Sequence, residues 1–153
     1  FGLLNLNALM AADDLIVPVL ADFLSFHGLK LLFETVQSLE EDLGHVLDHV
    51  FIVVNAFNAT FKLSKEALEA LKTHYPEYLM PRVVRQCTRF AHASSEGMPI
   101  FRFDRDSKGA HDVQVLIDEV LRRLIARQKT LREKSHQVTS IETTEHIAVA
   151  HSA

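Results

Sequence analysis

A chain of 153 residues, 48% hydrophobic and 24% charged, holds enough apolar material for one sizeable core and needs no second domain. Its formal charge of -4 hides a division: acidic residues outnumber basic ones 11 to 4 between Phe1 and Pro81, while basic residues lead 12 to 7 between Arg82 and Lys134. That pattern excludes a global preference for nucleic acid and points to one basic face, while the absence of an apolar run near ~20 residues excludes a membrane-spanning helix.

In chain order, Leu15-Ile-Val-Pro-Val19 and Val50-Phe-Ile-Val-Val54 are uninterrupted apolar runs of strand length, rich in β-branched residues, as in strands covered on both faces. Between them Leu29, Leu32, Phe33, Val36, Leu39 and Leu43 recur at a helical period that Gly44 ends. Ser64 followed by Ala67, Leu68 and Leu71 predicts a helix capped by Ser64, with Glu66 in its first turn. Val83 and Val84 predict a third strand begun around Leu79, with Pro81 at its entry or at an edge. The last helix is predicted to start near Ser107 and to run through Val113, Leu116, Ile117, Val120, Leu121 and Leu124. Residues 125–134 prolong it, with Arg127, Lys129, Arg132 and Lys134 exposed, and from Ser135 onward the composition is that of a flexible tail. Repeated strand–helix units give an α/β fold: three or more parallel strands flanked by helices, with ligands bound beyond the carboxyl ends of the strands.

The residues with chemical potential are unevenly spread. Arg85, Arg89, Arg102, Arg105 and Lys108 surround a Gly-Met-Pro turn in the one strongly basic region, and any of them is either a phosphate contact or a solvated helix face. Asn55, at the end of the second apolar run, either offers its amide to a purine edge or closes its own turn. Nine histidines include His45 and His49, four apart, yet no H-E-x-x-H pattern or cysteine pair accompanies them, so no metal site is expected. No G-x-S-x-G elbow supports a serine nucleophile, and no catalytic histidine motif surrounds Cys87, the only cysteine and so without an internal disulfide. Neither G-x-x-x-x-G-K-[ST] nor any other glycine-rich phosphate loop occurs, so the chain has no means to wrap a triphosphate in backbone N–H groups.

The order of residue types from Val84 to Asp112, an Arg-bearing segment, then Ala-Ser-Ser-Glu-Gly-Met-Pro-Ile, then Phe-Asp-Arg-Asp-Ser-Lys-Gly-Ala opening a helix, resembles the C-terminal part of ParA/Soj-type partition ATPases, of the MinD/ParA superfamily. Upstream, the segment Phe1 to Asp14, then Leu-Ile-Val-Pro-Val and Phe-His-Gly-Leu, looks like the stretch that follows the Walker B element there, so the resemblance covers residues 1–124 and leaves 125–153 as a helical extension and tail. It implies a P-loop NTPase-like sheet whose phosphate loop is expected upstream of Phe1, and ATP and magnesium as cofactors of the complete protein. Neither is expected to bind tightly to this chain alone, which carries no catalytic residue. Asn55-Ala-Phe-Asn-Ala-Thr60 resembles the family's Asn-x-Tyr/Phe-Asp-x-x-Thr turn with Asn58 in place of Asp, which makes Asn55 the candidate adenine contact. Asp22 matches a familiar acidic position before a Gly-Leu helix start. The resemblance also implies an ATP-dependent homodimer, nonspecific DNA binding through Arg85, Arg89, Arg102 and Lys108, a ParB-like adaptor, and a bacterial, cytoplasmic, nucleoid-associated location. Two alternatives keep the fold and change the role: a catalytically silent interaction domain, and a MinD-like membrane-positioning ATPase.

Overall fold

In the computed structural model, which describes the backbone of residues 2–150 and the side chains of residues 2–130, strand β1 (Asp14–Leu20) pairs in parallel with β2 (His49–Asn55). The register runs from Asp14 opposite His49 to Leu20 opposite Asn55. The first rung is tied by side chains as well, since His49 Nδ1 lies 2.7 Å from Asp14 Oδ1. Helix α1 (Leu3–Met10) precedes β1, and α2 (Phe23–Leu43) connects the strands. This helix begins six residues before the apolar period does, because Asp22 caps it: its carboxylate accepts the Ser25 N–H at 2.7 Å. Gly44 ends it at φ 66, a left-handed conformation that glycine adopts at no steric cost.

The expected third strand requires correction. Leu79 to Gln86 follows β2 in parallel but forms only isolated bridges, Ile52 with Leu79 and Phe57 with Arg85, so the described sheet has two strands. The ladder opens well, with Ile52 N–H on Tyr78 O at 2.8 Å and Met80 N–H on Ile52 O at 2.9 Å. The ladder then slips by two residues between Met80 and Val84, so that Val84 N–H rather than Arg82 N–H reaches Val54 O, at 2.8 Å. Ala56, at φ 50, takes up an extra residue on the β2 side, after which Phe57 N–H meets Val84 O at 2.9 Å.

β2 therefore lies between β1 and this irregular segment, and Phe51, Ile52 and Val54 are buried to within 1%. The two-sided cover expected of both strands holds there and not on β1, whose Ile16 and Leu20 are 54% and 49% exposed. The main core joins Val19, Ile52 and Val54 of the strands to Leu29 of α2 and Leu71 of α3 (Lys62–His74). Phe33 stacks on Tyr75 beside it, ring centroids 5.1 Å apart. Ser64 is not the cap of α3, as the sequence suggested; Phe61 occupies that position, because the preceding turn closes on Asn58 and already leaves Phe61 C=O to accept Lys65 N–H.

Short helices α4 (Thr88–Ser95) and α5 (Ile100–Phe103) pack through Ala93 and Ile100 against Ala110 of α6 (Lys108–Ala150). Gly109 permits that approach, since a Cβ there would stand 2.7 Å from the Phe90 ring. Ser107 caps α6, its hydroxyl accepting Ala110 N–H at 3.2 Å and donating to Asp104 O at 2.8 Å. The chain divides into two compact units, Phe1–Gln114 and Val115–Ala153, the second taking in the continuation of α6 as far as Ala150. The tail expected from Ser135 onward lies outside the residues whose side chains are described.

Leu71 is 2% exposed and Leu63, on the same helix, 76% exposed. Leu71→Ala is expected to cost about 2–5 kcal/mol in urea unfolding, and Leu63→Ala to stay within about 0.5 kcal/mol of the parent.

Candidate functional site

Three segments meet beyond the carboxyl end of β2: the turn Phe57 to Thr60, the stretch Arg85 to Arg89 that opens α4, and the loop Asp104 to Lys108 that opens α6. They line a cavity of about 640 Å³. Asn58 organises its first wall. The Asn58 Oδ1 accepts both the Thr60 N–H at 2.9 Å and the Thr60 hydroxyl at 2.7 Å, and its amide nitrogen donates to Gln86 Oε1 at 3.1 Å. The departure from the family's aspartate thus gives a side chain that can donate across to the neighbouring segment, which a carboxylate cannot.

Three of the four basic residues singled out by sequence, Arg85, Arg89 and Lys108, line this cavity. Arg102 does not; it is exposed on α5. Their electrostatic situations differ. Arg85 grips Asp112 with two parallel bonds, Nε to Oδ2 and Nη2 to Oδ1, both 2.8 Å, and its backbone N–H donates to Oδ2 at 3.1 Å. Arg89 Nε lies 2.8 Å from Asp104 Oδ2. Arg102, Arg105 and Lys108 are exposed and make no ion pair among the described residues. The cavity therefore holds two cations already matched by carboxylates and one, Lys108, with its charge unmatched.

Asp112 is 5% exposed, and burial pushes its carboxyl upward; hydrogen bonds from the Arg85 side chain and backbone, with the guanidinium charge, outweigh this and hold it below the usual carboxylate range. The same bonds raise Arg85 above its ordinary value. Nothing in the sequence announced this pair, since 27 residues separate its members and Asp112 reads locally as one polar position on a helix. Asp104 was likewise missed as the partner of Arg89.

Asn55 is exposed at the end of β2, outside the lining of the cavity, and its Oδ1 accepts the Ala56 N–H at 2.9 Å, supporting the left-handed Ala56. Asp22 is accounted for as the cap of α2. Cys87, half-buried, occupies the cap position of α4 without a side-chain capping bond. His49 is engaged with Asp14, and His45 Nε2 lies 3.1 Å from Ala12 O. Among the described residues no three His, Cys, Asp or Glu side chains converge, and no helix is long and apolar enough to cross a membrane.

Asp112→Ala removes three bonds and leaves the Arg85 guanidinium half exposed to water, an expected loss of about 1–3 kcal/mol at neutral pH. Because the folded-state value of Asp112 is depressed, its contribution is present above the ordinary carboxylate pKa of about 4 and disappears as pH falls through the lower folded value. Urea unfolding from pH 7 downward should show parent and variant converging in acid.

No family profile matches the chain. Individual relatives do. It is 74% identical over 137 residues to the cell division protein PomZ of Myxococcus xanthus, covering 90% of this chain and 43% of that protein. It is 31% identical over 121 residues to the chromosome-partitioning ATPase Soj of Thermus thermophilus, 79% of this chain and 49% of that one. It is 27% identical over 122 residues to the chromosome partitioning protein ParA of Myxococcus xanthus, 80% and 43% of the two chains. The chain thus spans less than half the length of these relatives. With the sheet parallel and the likeness to PomZ running over nine-tenths of its length, the chain belongs to the ParA/Soj-type partition ATPase family.

Proposed function

We propose that this chain is the part of a ParA-like positioning ATPase that carries the DNA-contacting cleft and the base-recognition edge, acting in the full-length protein as an ATP-dependent dimer on nonspecific DNA, with a ParB-like adaptor stimulating turnover. The observation that carries the reading is the convergence of Arg85, Arg89 and Lys108 in one cavity beyond the end of β2, where ligands of parallel α/β sheets bind. High identity to a cell division protein favours the division apparatus as the cargo over a plasmid.

The basic residues divide the work. Lys108 and Arg102, without ion pairs among the described residues, meet phosphate oxygens directly. Arg89 contributes the guanidinium nitrogens not engaged by Asp104, and Arg85, tied to Asp112, chiefly holds the cleft in shape. Such contacts fix the protein on a duplex and carry no base information. The residues present fit the base end of ATP: with the Asn55 carbonyl engaged by Ala56 N–H, its amide NH2 supplies a donor for a purine ring nitrogen. They offer no cradle for the phosphates, so no chemical step is assigned to them. A silent interaction domain would use the same cleft without nucleotide, and a MinD-like membrane role lacks a bulky apolar stripe beside the basic positions of the extension.

Binding of the full-length protein to unrelated duplexes across a salt series tests the DNA reading. Arg102→Ala, Arg89→Ala and Lys108→Ala should each weaken all duplexes alike and lower the salt slope by about one unit. Unchanged affinity and slope in all three variants, with dimerisation intact, would move the DNA surface elsewhere. The purified 153-residue chain is expected to show no magnesium-dependent ATP turnover above a contaminating-ATPase control. Turnover there would overturn the assignment of the phosphate machinery to another part of the protein.

A further inference from the structure

A second cavity of about 640 Å³ shares Arg85 with the one described above but none of its other walls. It is a groove formed by α3, the irregular segment beside β2 and the first turns of α6, all within the unit Phe1–Gln114. Leu68, Leu79 and Val83 give it an apolar floor, each half-buried and packed against the main core. Its polar lining is chiefly cationic: Lys72 and Arg82 are exposed, and Arg85 stands beside them. Asp112, the one carboxylate of the lining, is buried and already gripped through both oxygens by Arg85.

We propose that this groove docks an acidic segment of a partner protein, one in which Asp or Glu side chains flank an apolar residue. The apolar residue fills the space over Leu68, Leu79 and Val83, and the carboxylates meet Arg82 and Lys72. Arg82 has the strongest claim on such a partner. It makes no ion pair among the described residues, and a guanidinium can take a carboxylate through two parallel bonds. Lys72 donates to Glu69 at 2.7 Å, which uses one N–H of an ammonium that carries three. Pro81 has no N–H and the Arg85 N–H is held by Asp112, so the segment is gripped by side chains rather than added to the sheet as a strand.

A nucleic-acid duplex suits the groove less well. Its phosphates would satisfy the cations, but its backbone brings nothing to cover an apolar floor. Nor is the groove the place where the sheet lacks cover, because the exposed strand residues Ile16 and Leu20 belong to β1, on the opposite side of β2. The proposal goes beyond the DNA and nucleotide readings and uses none of Arg89, Arg102, Lys108 or Asn55.

The test is a selection of displayed random peptides of about a dozen residues on the full-length protein, followed by affinities of the enriched peptides for the parent and three variants. Enriched sequences should combine acidic with apolar residues. Arg82→Glu should weaken them roughly tenfold, and Lys72→Glu added to Arg82→Glu roughly a hundredfold. Lys65→Glu makes the same change of charge at an exposed position of α3 outside the groove and should leave them within about twofold. All three positions are exposed, so circular dichroism melts of the variants should match the parent. No enrichment, enriched peptides that Arg82→Glu does not affect, or an equal loss with Lys65→Glu would overturn the proposal. So would short duplexes that displace the peptides together with a salt slope of duplex binding that Arg82→Glu lowers by about one unit, because the groove would then be part of a DNA surface.

Discussion

The grip of Arg85 on Asp112 is the contact on which the basic cleft depends. It joins two parts of the fold that share no secondary structure, the irregular segment beside β2 and the first turns of α6, and it does so with three bonds converging on one carboxylate. Two of those bonds fix the guanidinium, and the third takes up the Arg85 backbone N–H, a donor for which the sheet edge provides no strand partner. Pro81 has no N–H to offer a few residues earlier. The edge is thereby closed to further strand pairing by a proline and a carboxylate, devices that proteins commonly use against edge-to-edge association. Since Gln86 to Arg89 follows directly, the clamp also sets where α4 begins and hence where Arg89 and Cys87 lie.

The same geometry sets the electrostatic character of the cleft. A count of Arg and Lys suggests a strongly positive surface, but Asp112 and Asp104 each neutralise one arginine at hydrogen-bonding distance. What results is a pocket with modest excess charge rather than a run of unmatched cations. The pairing with Asp112 also makes replacement of Arg85 a structural change before it is an electrostatic one.

Close packing behind the cleft joins the elements that form its walls. Gly109 lets α6 approach the Phe90 ring, and Ala93, Ile100 and Ala110 lock α4, α5 and α6 together with little side-chain volume. The Ser-Lys-Gly-Ala run is thus three local requirements in succession: a helix cap at Ser107, a free cation at Lys108, and a contact at Gly109 that tolerates no Cβ. For Ser107 and Gly109 the resemblance has a physical basis in the fold.

How much of this was legible in the sequence varies with the range of the interaction. The two strands, the helical period of α2, its Gly44 stop and the start of α6 at Ser107 were readable, because apolar periodicity, a left-handed cap and a serine cap are written within a few neighbouring residues. The start of α2 at Asp22 and of α3 after Phe61 needed the flanking turns, which close through hydrogen bonds that no periodicity reveals. The third strand was expected from Val83 and Val84, but two extra residues between Met80 and Val84 put the ladder out of step, which only the pairing with β2 reveals. Arg85, Arg89 and Lys108 could be named from sequence as basic residues in one region. Only tertiary structure decided that two of them are spoken for and one is not, since the carboxylates that claim them come from other elements, and pairing across such separations is set by packing rather than by local pattern.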